Sequence, residues 1–277
     1  MIPLLHGRAR VWTARLWTIV ALLVSGSVGL PAASLAQGSL AQGSLVQGGG
    51  ADAQESLYQA CLNQARGEPE AGYRAALDWH AAGGGLPARH CAAVALLGLR
   101  AYEEAASRLE TLAAEVPDAR LDLRLGLIAQ AAQGWMMSGR PARAEHLLSL
   151  VVGAVPDDPQ ILADRAVARL ALNDHWSAID DLDRALQIVP RDVELLLYRA
   201  SAYRYLGVPD LARDDVDRAL AVDSRAPGAW LERGILDRMA GDDAAARRSW
   251  IKVLEVAPEG PAADAARARL EALDLGR

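Results

Sequence analysis

The sequence predicts an all-α protein, an α-solenoid in which helix–turn–helix repeats stack on one another. Prolines and small residues recur every 34 residues, and each period reads as two helices joined by a short turn. With 52% hydrophobic and 23% charged residues, the chain can also bury a core. Units of this kind bury their apolar faces only by stacking, which is the pattern of a repeat protein.

The period is visible in four independent sets of residues. Pro156 and Pro190 are 34 residues apart, and Pro258 follows after twice that interval. The same spacing relates three columns of small or turn-forming residues: Ala144, Ala178, Ala212 and Ala246; Ala132, Ala166, Ala200 and Gly234; and Gly139, Asn173, Gly207 and Gly241. Because the columns agree, we place the repeats at 125–158, 159–192, 193–226 and 227–260.

Each repeat is predicted to contain a first helix, here called the A helix, and a second or B helix. In 159–192, Asn173 suits the left-handed residue that ends an A helix, and Asp174 can cap the B helix that follows. Pro159 lies at a first helical position, where a backbone N–H would make no hydrogen bond within the helix, so the lack of one in proline costs nothing. Small residues such as Ala200 and Ala212 are expected where the two helices touch closely.

This pattern resembles that of the tetratricopeptide-repeat (TPR) family, and the chain looks like an exported bacterial member of that family. The repeat 227–260 carries the most family positions: Trp230, Gly234, Gly241, Ala246, Trp250 and Pro258. The resemblance implies a right-handed superhelix with degenerate N-terminal repeats at 52–119 and a capping helix at 261–277. A five-residue insertion, 120–124, separates the degenerate repeats from the four full ones.

The first 36 residues are predicted to be a secretory signal peptide. Residues 1–15 hold three Arg and no acid, residues 16–30 form an uncharged apolar run, and small residues follow. Ser34 and Ala36 fit a cleavage site before Gln37. The run is shorter than the roughly 20 residues of a membrane span. We therefore expect that the segment is cleaved, that the protein is exported to a Gram-negative periplasm, and that no stable membrane span remains after cleavage. The alternative is that the segment is retained as a membrane anchor. Residues 37–51, rich in Gly, Ser and Gln, are predicted to be a flexible linker.

No catalytic motif is found in the sequence, and we expect neither an enzyme nor a cofactor or metal site. The net charge of −6 and a pI near 5.4 argue against nucleic acid as a partner. Cys61 and Cys91 are predicted to form a disulfide between neighbouring A helices of an exported protein. Two free thiols, a metal cluster with His80 and His90, and a Cys91/His90 nucleophile are the alternatives.

Arginines recur in register at the A helices of three repeats, at Arg165, Arg199 and Arg233. We interpret them as members of internal ion pairs, because acidic residues recur on the B helices of the same repeats: Asp181, Asp183, Asp215 and Asp217. Arg233 is the exception, since its own repeat lacks those acids. A basic ladder for an acidic ligand is the alternative.

The TPR resemblance implies that A helices line a concave groove. By repeat position, the predicted partner-binding residues are Gln130, Gln133, Met136, Met137, Tyr198, Ser201, Arg204, Tyr205, Glu232, Arg238 and Met239. Asp164, Val167, Leu170, Leu231 and Ile235 hold equivalent positions, and Val167, Leu231 and Ile235 are equally compatible with packing between repeats. The Lys/Asn set of chaperone-tail-binding members is absent.

A surface of Met, Tyr and Leu with two Arg suits an extended peptide or an amphipathic helix with acidic flanks. Tyr198, Arg204 and Tyr205 are expected at its centre. The sequence thus predicts a non-catalytic, exported protein–protein interaction scaffold that binds a peptide or helix of a protein partner. A structural subunit of a cell-envelope complex and a Cys/His-dependent enzyme are the alternatives.

Overall fold

The structure of the chain is a computed structural model that describes residues 47–276. Within this range it contains thirteen α-helices and one short 3-10 helix, and no strand. The all-α prediction is confirmed. The predicted signal peptide and the cleavage site between Ala36 and Gln37 lie outside the described residues. The described residues form two compact units, 47–140 and 141–276. The boundary between the units falls inside the predicted repeat 125–158.

The first unit consists of two helix pairs and a further A helix. Its helices are α1 (Gln47–Gly67), α2 (Pro69–Ala81), α3 (Gly85–Gly98), α4 (Tyr102–Glu115) and α5 (Leu121–Met137), with the 3-10 helix at Asp118–Arg120. Successive helices pack on one another, and the A helices α1 and α3 also touch.

The second unit begins with a B helix and continues through three helix pairs to a terminal helix. Its helices are α6 (Pro141–Ala154), α7 (Pro159–Ala171), α8 (His175–Ile188), α9 (Val193–Tyr205), α10 (Pro209–Val222), α11 (Pro227–Met239), α12 (Asp243–Val256) and α13 (Pro261–Asp274). The A helices contact one another in order, α7 with α9 and α9 with α11, and α11 contacts α13. This stacking of helix pairs is the arrangement of an α-solenoid.

The turn chemistry predicted from the sequence is confirmed. Asn173 and Gly207 have φ angles of 62° and 73°, the left-handed conformation that ends an A helix. The Asp174 side chain accepts a hydrogen bond from the backbone N–H of Ser177 at the start of α8. Pro159 and Pro227 open α7 and α11. Local residue choice therefore sets where these helices begin and end.

Two boundaries differ from the expectation. Residues 121–124 of the predicted insertion continue α5, which has 17 residues where α7, α9 and α11 each have 13. They contain no Pro or Gly, so nothing in them stops a helix. Helix α1 begins at Gln47, inside the predicted linker 37–51, because each residue added to an existing helix gains a hydrogen bond without a new nucleation step.

Small residues lie where A and B helices approach closely. Ala166, Ala178, Ala200 and Ala212 are fully buried. At Gly234 even a Cβ atom would lie 2.3 Å from Nε1 of Trp250. The recurring small residues are thus a packing requirement of the helix pair.

We expect Ala212→Leu to destabilise the protein by about 1–3 kcal/mol, because a well-packed contact must open to admit the larger side chain. Ala221→Leu, on the exposed face of the same helix α10, is the matched control and should change stability little. Urea unfolding measures both. Equal stability of the two variants would show that the repeat register is misplaced.

Candidate functional site

The A-helix residues predicted to bind a partner differ in how far they are exposed. One repeat column, Gln130, Asp164, Tyr198 and Glu232, recurs at intervals of 34 residues. Every member of this column makes a side-chain hydrogen bond within its own unit. The bonds of Gln130 and Glu232 join two helices, whereas those of Asp164 and Tyr198 lie within one helix.

In the first unit this column is represented by Gln130 on α5. Its Oε1 lies 2.8 Å from Nε2 of His90, whose Nδ1 lies 2.6 Å from the Tyr58 hydroxyl. His90 is buried, and burial lowers the pKa of its ring. Nearby on α5, Gln133, Met136 and Met137 are half-buried. Gln130 thus holds a buried histidine in place, and it is half-buried like Gln133, Met136 and Met137.

The two cysteines lie in the same unit. Cys61 on α1 and Cys91 on α3 form a disulfide, with their Cα atoms 6.2 Å apart. In this state Cys91 has no thiol to act as a nucleophile beside His90. Among the described residues, no group of three or more His, Cys, Asp or Glu side chains is placed to hold a metal ion.

In the second unit the column begins with a buried carboxyl group, that of Asp164 on α7. Its Oδ1 accepts a hydrogen bond of 2.8 Å from Nε2 of Gln160. Burial is the main effect on this group and, with the carboxylates of Asp158 and Glu194, it raises the pKa of Asp164 to about 7. The charged form of Asp164 is therefore disfavoured in the folded protein.

This raised pKa predicts a pH-dependent effect of Asp164→Asn. Since the folded pKa lies above that of the unfolded chain, the contribution of Asp164 to stability falls as pH rises toward 7. The Asn variant should gain stability relative to wild type near pH 8 and gain less near pH 5. Thermal unfolding at both pH values measures this. Asp180→Asn, at an exposed position on α8, is the control, and an equal gain at both pH values would contradict the assignment.

The expected centre of the groove is only partly open. The Tyr198 hydroxyl donates a hydrogen bond of 2.8 Å to Glu194 on its own helix. Arg204 forms an ion pair with Glu232 on α11, and the two side chains are 11% and 8% exposed. Arg204 also donates a 3.1 Å hydrogen bond to the Ser201 hydroxyl. Arg204, expected as an accessible anchor, is thus a largely buried link between two A helices.

The accessible side chains lie at the C-terminal ends of the A helices. Tyr205 is 49% exposed and its ring stacks on His175, with centroids 5.1 Å apart. The Arg204 guanidinium lies 4.4 Å from the Tyr205 ring centroid. On α11, Met239 is 54% exposed, and its neighbour Arg238 forms an exposed ion pair with Asp243. By contrast Val167, Leu231 and Ile235 are buried, as the packing interpretation allows.

The in-register arginines form ion pairs, as predicted. Arg165 binds Asp181 at 2.6 Å. Arg199 lies between Asp215 of its own repeat and Asp183 of the preceding repeat, 2.6 Å from each. Arg233, whose own repeat lacks the in-register acids, pairs with Asp217 of the preceding repeat at 3.2 Å. The aspartates of one repeat therefore reach the arginine of the next.

Two residues near Arg204 were not singled out from the sequence, namely His175 and Arg269. His175 occupies a position where the equivalent residues are Pro141, Pro209 and Asp243, so it does not recur. Arg269 lies on α13, outside the repeat register. A search for recurrent residues passes over both, and only the packing of α13 on α11 brings Arg269 to the groove residues.

Stacked helix pairs with 34-residue spacing define an α-solenoid repeat protein, and comparison with solved structures specifies its class. A thermophilic TPR protein from Thermus thermophilus, TTC0263, matches with a TM-score of 0.54 and 23% identity, over 66% of this chain and 95% of that chain. MamA 41-end from Desulfovibrio magneticus RS-1 matches with a TM-score of 0.55 and 16% identity, over 64% and 96%. A crystal structure of MamA gives 0.52 and 16%, over 59% and 93%.

The chain therefore has the tetratricopeptide-repeat fold. At these identities the likeness concerns the fold alone. No family model and no curated protein matches the sequence. Over residues 47–276, no helix has both the length and the apolar character needed to cross a membrane.

Proposed function

We propose that this protein is an exported, non-catalytic scaffold that binds a peptide or helix of a protein partner on its A-helix face. The observation that carries the proposal is the exposure of Tyr205 and Met239 at equivalent positions of α9 and α11, 34 residues apart. Tyr is among the residues that most often anchor interfaces, and Met adapts to varied apolar partners. The TPR fold of the chain supports an interaction role in general.

Affinity capture with two matched double variants tests this proposal. Tyr205→Ala with Met239→Ala alters the A-helix face, while Ile188→Ala with Ile251→Ala removes side chains of similar exposure, 46% and 43%, from the B helices α8 and α12. A partner captured by wild type should be retained by the B-helix variant and lost by the A-helix variant. Circular dichroism checks that both variants keep their helices. Unchanged capture by the A-helix variant would contradict the proposal.

A specific observation also favours the second candidate, a structural subunit of a cell-envelope complex. Apolar side chains are exposed on the B helices of the second unit as well, with Leu150 53%, Trp176 63% and Ile188 46% exposed. If these side chains form one patch, the patch is a second interaction surface. Loss of capture by the B-helix variant would select this candidate.

Export predicts a defined N-terminus. The protein isolated from the cell envelope should begin at Gln37, because the residues before it have the charge, apolar run and small residues of a cleaved signal peptide. The intact mass of the isolated protein measures this. A mass that includes residues 1–36 would instead indicate a scaffold held at the membrane by that segment.

A further inference from the structure

Three charged side chains lie near one another where α11 contacts both the A helix α9 and the terminal helix α13. Arg204 on α9 forms its buried ion pair with Glu232 on α11. Arg269 on α13 lies close enough for the charges of both residues to influence it. We call these residues the Arg204–Glu232–Arg269 cluster. Tyr205 borders the cluster, since its ring contacts the Arg204 guanidinium and its hydroxyl is close enough to affect the pKa of Arg269.

Arg269 is the member of this cluster without a partner. Within residues 53–276, no carboxylate forms an ion pair with it, and its buried Nε has no hydrogen-bond acceptor. Glu232, the acid whose charge reaches Arg269, is already paired with Arg204. Burial and the positive charge of Arg204 both lower the pKa of Arg269. Buried polar groups are nearly always satisfied, so an orphaned donor on a cation requires an explanation.

The charges of the cluster do not balance. Two guanidinium groups and one carboxylate leave one net positive charge in a partly desolvated place, where an uncompensated charge is unfavourable. Among the described residues, no second carboxylate pairs with the cluster. The core beside α13 is apolar: Leu231, Ile235, Ala246, Trp250, Val253 and Ala266. We therefore expect a neutral side chain at position 269 to serve the fold at least as well. The geometry therefore suits an anion supplied from outside.

We propose that the Arg204–Glu232–Arg269 cluster binds a carboxylate of an acidic peptide, with Arg269 as the principal donor. This inference rests on the proposed function and specifies the partner's chemistry. The single negative charge of a carboxylate matches the one uncompensated positive charge of the cluster. A phosphate dianion would bring a second negative charge, which the nearby Glu232 carboxylate would repel. Guanidinium groups bind carboxylates through paired, charge-assisted hydrogen bonds. The half-exposed Tyr205 ring offers an adjoining surface to the rest of the peptide.

A titration that follows the arginine Nε–H signals by NMR tests the proposal on the purified protein. The probe is N-acetyl-glutamate amide, with N-acetyl-glutamine amide as the uncharged match and inorganic phosphate as the competing anion. The glutamate probe should give a saturable shift of the Arg269 signal, and the glutamine probe should not. Arg269→Gln, followed on the Arg204 signal, should weaken binding by about tenfold or more. Arg267→Gln, an exposed arginine of the same helix, should bind as wild type does.

A thermal unfolding measurement separates ligand binding from a structural role. Arg269→Gln should leave the melting temperature unchanged or raise it, because the variant removes an unsatisfied buried donor. A marked fall would show that Arg269 supports the fold and would overturn the proposal. Absence of a saturable shift with the glutamate probe, or tighter binding of phosphate than of that probe, would overturn it as well.

The captured partner distinguishes failure of this inference from failure of the proposed function. If the Tyr205/Met239 variant captures the partner as tightly as wild type, the proposed function fails whatever the probe does. If capture depends on Tyr205 and Met239 but is undiminished by Arg269→Gln, the carboxylate site alone is contradicted.

Discussion

Asp181→Ala should destabilise the protein by about 3–5 kcal/mol, because it leaves two largely buried arginines without their shared carboxylate. Asp181 is 2% exposed and receives hydrogen bonds from Arg165 at 2.6 and 2.8 Å and from Arg169 at 2.8 Å. After its removal Arg165 keeps a 3.3 Å hydrogen bond to the Ser149 hydroxyl, and Arg169 keeps Glu145. Neither contact restores the lost pairing.

Asp183→Ala is the matched control on the same helix. Asp183 is 43% exposed, and its partner Arg199 retains Asp215. Exposed pairs contribute little, so the control should lose no more than about 1 kcal/mol. Chemical unfolding of both variants gives the comparison. If the two aspartates prove equivalent, burial of the ion pair does not determine its contribution, and the role assigned to the in-register arginines fails.

Replacing Cys61 and Cys91 together with Ala should cost about 3.5 kcal/mol of stability, the value expected for a bridge that closes a loop of this length. The bridge spans 30 residues and joins α1 to α3. In repeat proteins stability is local, so the loss should be concentrated in the first unit, residues 47–140. Hydrogen exchange measured by mass spectrometry should show reduced protection there and little change in residues 141–276.

A reductant provides the control for the disulfide. It should destabilise wild type to the level of the double variant and leave the double variant unchanged. Peptide mapping without reduction provides an independent check. If it recovers both cysteines as free thiols from protein isolated under oxidising conditions, the pairing is incorrect and the Cys91/His90 nucleophile becomes open to test again.

The sequence by itself determined several helix ends and the spacing of the repeats. Pro159 fixes a helix start, Asn173 ends the A helix of the same repeat, and Asp174 caps the B helix, because each acts on backbone groups within a few residues. The small residues at Ala178 and Ala212 were predictable for a related reason, since every repeat needs the same close helix contact. What recurs with the repeat, or acts locally, can be inferred from sequence alone.

Only the tertiary structure decided which charged side chains form ion pairs within the fold and are therefore not available to a partner. The repeat position of Arg204 predicts an exposed anchor that faces the groove. In the structure, Arg204 instead forms a largely buried ion pair with Glu232, 28 residues later in the chain. Arg233 lacks the in-register acids on the B helix of its own repeat, and it pairs with Asp217 of the preceding repeat. Arg269 belongs to no repeat, and it reaches the cluster through the packing of α13 on α11. The strength of an ion pair depends on the distance between the two charges and on how deeply they are buried. When the two residues lie on different helices, the sequence pattern specifies neither quantity, because both are set by how the helices stack.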